Sequence, residues 1–273
     1  MRLPPAEIAQ LEERRQARLL ADVTPLVQPF AGGFMGFHEP GSWQNQACGV
    51  GLAGPVGADE ITNMIEFYQS RGVEPRVELS PFADESLVAG LGERGFVIRE
   101  FEHVLARELD PGEDLEAALP FGRPAGLELR ELDQADRPML ERAVEVALRG
   151  FYPTGEIPRA MFDACVATNS MPNNLTVLAW LDGELVAAGT VSVGGEVASL
   201  MGVSTEPRAR RRGIQQALIV ERLALARGRG CVLATIGSRP GIPTERNALR
   251  LGFSVAYTKV IVVRPGSGLA RSV

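Results

Sequence analysis

The chain has 273 residues, 45% of them hydrophobic, and its 34 acidic and 28 basic side chains give a formal net charge of −6. That length admits two ordinary domains or one large one, and the acidic balance argues against a general nucleic-acid binder. No apolar run is long enough to span a bilayer, the N-terminus has no secretory core, and three scattered cysteines with two distant histidines suggest neither a disulfide framework nor a metal centre. The expectation is a reduced, cytoplasmic protein without a metal.

In chain order, residues 6–20 read as an amphipathic helix, with Ile8, Leu11, Leu19 and Leu20 apolar among many charges. Strand-like runs follow near 26–30, 33–37 and 46–53, parted by glycines and prolines. Over 57–70, Ile61, Met64, Ile65 and Tyr68 recur at helical spacing, and Arg71-Gly72 closes the helix. A strand at 76–79, a helix at 84–94 and a long strand within 95–109 complete the first half. From 110 to 126 the composition turns to Pro, Gly, Glu and Ala, which marks a linker. A short strand at 127–131 opens a second domain, followed by helices at 134–148 and 158–168. Strands at 175–181 and 184–193 are joined at Asp182-Gly183, a strong hairpin signal. Strand 196–205 leads through a basic turn into a helix reaching 227. Strand 231–236, helix 244–251 and strand 253–263 follow; Pro265 ends the last one, and 266–273 reads as a loose tail. The expected domains are therefore 1–110, a linker at 111–126, 127–265, and the tail.

The basic turn is the feature with an obvious chemical use. A β-prone run ends at Pro207, which cannot donate to a sheet ladder. Arg208, Arg210, Arg211 and Arg212 follow, then Gly213, and from Ile214 the apolar residues recur at helical spacing. The first turn of a helix leaves N–H groups without intrahelical partners and carries partial positive charge. A phosphate can take those groups if the backbone comes close, which Gly213 permits by lacking a Cβ. Charge-assisted hydrogen bonds from arginine, each about 1.5–3 kcal/mol, outweigh the dipole's contribution of about 0.3–1 kcal/mol. A pyrophosphate is the expected guest. A solvated charged turn is the plainer alternative, and the absence of a G-x-x-x-x-G-K-[ST] string excludes a Walker loop.

The run T-E-P-R-A-R-R-R-G-I-Q-Q-A-L resembles the acetyl-CoA-binding motif of the GNAT acyltransferase family. That motif is Arg or Gln, two residues, Gly, one residue, then Gly or Ala. Arg210, Gly213 and Gln215 take those places, and Gln215 departs from the small residue of the last slot. Thr205 and Pro207 match the strand end before the motif. The order of elements from 127 to 265 is also that of a GNAT domain, and R-N-A-L-R-L-G-F at 246–253 resembles the short helix and turn before its last long strand. The resemblance implies an α/β (α+β) fold of two GNAT-like domains, each a mixed, mostly antiparallel sheet flanked by helices. R-G-F-V-I-R-E-F-E-H-V-L at 94–105 parallels L-G-F-S-V-A-Y-T-K-V-I-V at 251–262, so the first half reads as a degenerate copy. Its A-G-P-V-G-A-D-E carries no arginine and should not hold CoA.

The resemblance further implies an N-acetyltransferase that moves an acetyl group from acetyl-CoA, a co-substrate, to a primary amine by direct attack on the thioester. Pantetheine would lie along Gly202, Val203, Ser204 and Thr205, with a backbone N–H near Gly202 or Val203 holding the thioester oxygen. Arg210, Arg211, Arg212, Gly213, Ile214, Gln215 and Gln216 would hold the diphosphate. Asn247 either reaches the pantetheine arm or is a helix-surface amide. An amine of pKa about 10.4 must lose a proton before it attacks, and a carboxylate can take it directly or through water. Glu196 is the first candidate, with Glu206 and Glu245 behind it. The family's thiolate-protonating tyrosine falls at Ala248 here, leaving Tyr152, Tyr257 or water. Residues 150–158 are expected on the acceptor side. A non-catalytic CoA-binding or interaction protein is the alternative, and a nucleic-acid contact through residues 208–212 ranks below both. The partners expected are a CoA thioester and a small amine, with no nucleic acid and no membrane; oligomeric state is open, a homodimer included.

Overall fold

A computed structural model of the chain describes residues 3–271. In order, its elements are α1 (Pro5–Val23), β1 (Leu26–Phe30), β2 (Gly33–Phe37), β3 (Gln46–Cys48), α2 (Ala58–Gln69), β4 (Arg76–Leu79), α3 (Glu85–Glu93) and β5 (Val97–Glu108). Then come β6 (Leu127–Glu131), α4 (Arg137–Arg149), α5 (Arg159–Asn169), β7 (Asn174–Leu181), β8 (Glu184–Gly194) and β9 (Val197–Thr205). The chain finishes with α6 (Ile214–Gly228), β10 (Leu233–Ser238), α7 (Pro243–Arg250) and β11 (Ser254–Val263). It forms two compact units, one of residues 105–255, the other of residues 3–104 together with the described residues from 256 onward.

The first-synthesised unit is a mixed sheet. β1 and β2 form an antiparallel hairpin, β2 pairs antiparallel with β3, and β3 runs parallel to β4 after the α2 crossover. β11 lies antiparallel to β4, with Val260 opposite Leu79 and Val263 opposite Arg76. Ile61, Met64, Ile65, Phe67 and Tyr68 of α2 and Leu87 and Leu91 of α3 pack on this sheet with Met35, Ala47, Val77 and Val262. Each such buried large side chain contributes roughly 1.5–3 kcal/mol.

The unit of 105–255 repeats the plan. β6, β7, β8 and β9 pair antiparallel in succession, and β9 runs parallel to β10 after the α6 crossover. The last residues of β5 lie beside β10, and Leu109 N–H continues the contact to Val232 O at 2.8 Å. The hairpin turn is where the sequence placed it: Asp182 and Gly183 have φ of 52° and 83°, the pair of positive values that a two-residue turn needs. Ile219, Val220, Leu223 and Ala226 of α6 meet Leu175, Val191, Leu200 and Ala234 of the sheet in one core.

β1-β2-β3-α2-β4-α3-β5 and β7-β8-β9-α6-β10-α7-β11 are thus the same motif twice, each with a parallel crossover after two antiparallel pairs. Both sheets are mixed and mostly antiparallel, as expected. The division into units differs from the sequence-based boundaries in two respects. The stretch 111–126 is no free linker: Arg227 of α6 donates to Asp110 O and Glu113 O, and Arg123 pairs with Glu221 of α6 at 2.6 Å. And β11, expected to close the second domain, packs with the first-synthesised unit, because its Tyr257 and Lys259 meet carboxylates there. The expected loose tail is docked too. Ala270 pairs with Val73, its N–H reaches Gly72 O, and Glu74 N–H reaches its carbonyl. Ser272 and Val273 lie outside the described residues.

Candidate active site

The site is built on β9. Its first residues pair with β10, Val197 with Leu233, Ala198 with Ala234 and Ser199 with Thr235, and there the registered pairing stops. From Leu200 to Thr205 the strand keeps only its β8 neighbour. On the other edge the backbone N–H and C=O groups lose their ladder, and such groups demand another partner. The β8 pairing is irregular at the same place: Thr190 faces Met201 and Ala188 faces Ser204, so Gly189 is opposed by both Gly202 and Val203. This is a β-bulge, which re-aims the backbone locally. Gly202 has φ of 60°, is exposed, and has nothing within 4 Å of where a Cβ would stand.

β9 ends at Thr205, and a single 3₁₀ turn over Pro207–Ala209 follows. Arg211 takes φ of 61° and Gly213 φ of 79°, so two left-handed residues coil the chain immediately before α6. Alternation of this kind turns successive N–H groups toward one point. The first helical bond is Ala217 N–H to Gly213 O at 3.1 Å, and no side chain caps the helix. The four arginines divide. Arg208 pairs with Glu206 at 2.8 Å and with Glu184, and Arg210 Nε donates to Thr205 O at 3.0 Å; these two brace the turn. Arg211 and Arg212 are exposed.

Gln215 does not crowd the turn. Its amide bonds Thr244 Oγ1 at 3.1 Å and accepts from Asn247 Nδ2 at 2.6 Å, while Gln216 Nε2 donates to Asn247 Oδ1 at 3.1 Å. Asn247 is therefore the clamp that ties α7 to the start of α6, neither a free surface amide nor a free pantetheine ligand. Pro124 packs beside Gly213, 3.6 Å from where a Cβ would be.

The three catalytic candidates do not converge. Glu196 is exposed, and its backbone carbonyl accepts from Val232 and Leu233 N–H. Six residues of strand, about 20 Å at the usual rise, separate it from Gly202, which puts a direct contact beyond a glutamate's reach. Tyr257 belongs to the other compact unit, where its hydroxyl donates to Glu13 Oε1 at 2.8 Å; burial and that carboxylate push its pKa up. Glu206 is in this unit but is held by Arg208. Glu245 is 8% exposed and accepts the Gly241 N–H at the start of α7, a structural duty. Ala248 is fully buried. Tyr152, by contrast, follows the end of α4 that meets β9. Gly150 ends α4 so near to Ser204 that a Cβ there would lie 1.7 Å from Ser204 Oγ. Two residues on, the Tyr152 phenol is half-buried, and desolvation raises its pKa. Sequence reasoning also passed over Arg222, a fully buried cation on α6 whose only sequence signal is a charge inside an apolar helix face.

In the first copy the corresponding helix start is closed. Glu60 Oε1 of α2 accepts the Gly57 N–H at 3.1 Å, and Asp59 stands beside it. Counted from the two N-cap glycines, Pro55 and Val56 stand where the second copy presents Arg211 and Arg212, and Glu60 stands where it has Gln216.

A mixed sheet with a bulged strand that parts from its neighbour, then a left-handed turn into a helix, is the architecture of the site. Residues 132–253 match the model of the acetyltransferase (GNAT) family. Residues 132–253 are therefore a domain of the GNAT acyltransferase family, whose general reaction is acetyl transfer from acetyl-CoA. None of the curated proteins matches the chain. Among solved structures, a GCN5-related N-acetyltransferase from Kribbella flavida is similar over 96% of this chain and 98% of its own, at 21% identity and a TM-score of 0.69. A GCN5-related N-acetyltransferase from Sphaerobacter thermophilus covers 78% and 67%, at 18% identity and a TM-score of 0.57. A DUF2156 domain from Agrobacterium fabrum covers 96% and 92%, at 15% identity and a TM-score of 0.57. At these identities the likeness is one of fold. Among the described residues no helix is long and apolar enough to cross a membrane, and no group of three or more His, Cys, Asp or Glu side chains is placed to hold a metal ion.

Proposed function

We propose that the unit of residues 105–255 binds acetyl-CoA along β9 and transfers the acetyl group to a primary amine, of a small molecule or of an exposed amino group. The observation that carries this reading is the parting of β9 from β10 beyond Ser199, directly ahead of the left-handed turn into α6. The opened edge, Leu200 to Thr205, offers backbone partners to the pantetheine amides. The uncapped N–H groups of Ile214, Gln215 and Gln216, with Arg211 and Arg212 above them, take the diphosphate.

The amine nitrogen, once neutral, attacks the thioester carbon. Negative charge gathers on the carbonyl oxygen, where a donor N–H of the Gly202–Val203 bulge stabilises it. Collapse of the tetrahedral intermediate expels the CoA thiolate and leaves an amide. The thiolate takes a proton from Tyr152, a half-buried phenol just past the end of α4, and water reprotonates the phenolate. Water carries the proton away from the amine, since Glu196 stands too far along the strand. The first half of the chain, with its helix start closed by Glu60, acts as a partner that binds no CoA.

Calorimetry with acetyl-CoA tests the cofactor site. The full chain should bind, and Gly213→Glu should not, because the substitution adds bulk and negative charge where the diphosphate sits. Undiminished affinity in that variant would show the site to be elsewhere. Release of free thiol from acetyl-CoA across a panel of primary amines then tests transfer.

A further inference from the structure

Arg222 is buried completely, on the α6 face that otherwise presents Leu218, Ile219, Leu223 and Ala226 to the core. Its Nε donates to Leu218 O at 2.9 Å, and one Nη donates to Thr190 O at 3.0 Å and to Met201 O at 3.3 Å. Those last two carbonyls belong to β8 and β9 at the pair after which their register shifts. A Cβ on Gly189 would lie 3.1 Å from Arg222 Cζ and 3.1 Å from Val203 Cγ2. The guanidinium therefore fills the space under the bulge that a side chain at 189 would take. The other Nη is buried without a hydrogen-bond partner. Burial alone pulls the pKa down to about 9. Breaking or omitting the partner of a buried charge is expensive, and a methionine would fill the same volume without that penalty. Packing does not explain the residue.

The peptide geometry does. In a trans peptide the C=O of one residue and the N–H of the next point in opposite directions and share one resonance system. Met201 C=O is the acceptor for the guanidinium, so the same peptide's N–H, that of Gly202, faces away from Arg222 and is polarised by it. Chains of hydrogen bonds strengthen one another in this way in a low-dielectric interior. We propose that Arg222 is a positioning residue for acetyl transfer: by gripping Thr190 O and Met201 O it fixes the bulge, aims the Gly202 N–H at the thioester oxygen and strengthens that donor. This rests on reading β9 as the strand that carries the thioester.

The test needs no acceptor amine. Acetyl-CoA labelled with ¹³C at the acetyl carbonyl is bound to the full chain, and the thioester C=O stretch is measured by infrared difference spectroscopy, with calorimetry alongside. In the native protein the band falls below its free position. In Arg222→Met it returns most of the way while the affinity for acetyl-CoA stays within about 3-fold, since the diphosphate contacts are untouched; Arg222→Lys retains an intermediate shift. Gly189→Ala, which displaces the guanidinium without removing it, weakens the shift in the native background and has no effect once Arg222 is Met. An unchanged band in Arg222→Met overturns the proposal. If that variant does not fold, an unchanged band in Gly189→Ala overturns it instead. A native protein that fails to bind acetyl-CoA sinks the cofactor reading itself, an outcome separate from a bound thioester whose band ignores Arg222.

Discussion

Gly202 and Gly213 both hold positive φ, one at the bulge and one before α6. A Cβ at a left-handed position costs about 1–2 kcal/mol. Open space surrounds Gly202, so Gly202→Ala should cost no more than that strain, a fall in Tm of about a few degrees, while lowering transfer read as thiol release well below what the lost stability explains. Tyr152→Phe should slow thiol release with little change in acetyl-CoA affinity, and an unaltered rate would return the proton-donor role to water. A third residue-scale effect lies in the other unit. Glu102 is pushed up to about 7 by burial and by Glu78, against the pull of Lys259 and Arg76. A carboxyl whose folded pKa is raised contributes stability below its unfolded value, and that contribution is lost as pH climbs through the folded value. The Tm of the native chain should therefore carry a falling component between about pH 4.5 and 7. In Glu102→Gln that component disappears, so the variant gains on the native protein as pH rises through the window. Parallel profiles would refute the assignment.

At the scale of elements, α6 is held at its start by amides and along its length by its apolar face. Asn247→Ala leaves Gln215 and Gln216 without their half-buried partner and should destabilise the chain by about 1–2 kcal/mol. Chemical denaturation reads this directly. Gly150→Ala should do more harm, since its methyl would meet Ser204 Oγ at 1.7 Å and Cβ at 2.6 Å; α4 would have to retreat from β9, and with it the Tyr152 loop. Elements of this kind were legible in the sequence wherever local chemistry decides them. The hairpin at Asp182-Gly183, the α2 periodicity and the Pro207 stop each depend on neighbours within a few residues. The basic turn was legible for the same reason. The bulge was not, because it arises from pairing between β8 and β9, and a glycine at 189 or 202 carries no mark of its partner. For Glu196 the place at the start of β9 was legible, while its separation from the bulge depends on where the β8 pairing shifts. Arg222 went unread because its meaning lies in two carbonyls more than 20 residues away.

For the whole molecule, the duplication was partly visible in the R-G-F and L-G-F strands, but not the exchange between copies. β5 ends its copy in sequence yet its last residues lie beside β10, and β11 ends the other copy yet pairs with β4. Nothing local distinguishes a strand that returns to its own sheet from one that does not. The one mark of it in the sequence is Lys259, a charge inside the apolar run of β11, which the structure buries 3.0 Å from Glu13 and 3.2 Å from Glu78. Lys259→Met leaves Glu13 and Glu78 confronting each other, and should cost about 3–5 kcal/mol, localised by hydrogen exchange to α1 and β4 and sparing α6. Protection lost equally in α6 would contradict the division into units.

The exchange also sets an order of assembly on the ribosome. Proteins usually fold N-terminal portion first as they are made. Here β1 to β4 wait for β11, which is translated only after every element of the 105–255 unit. Of the two units the one begun first is therefore the one completed second, and its open β4 edge is exposed to other strands meanwhile.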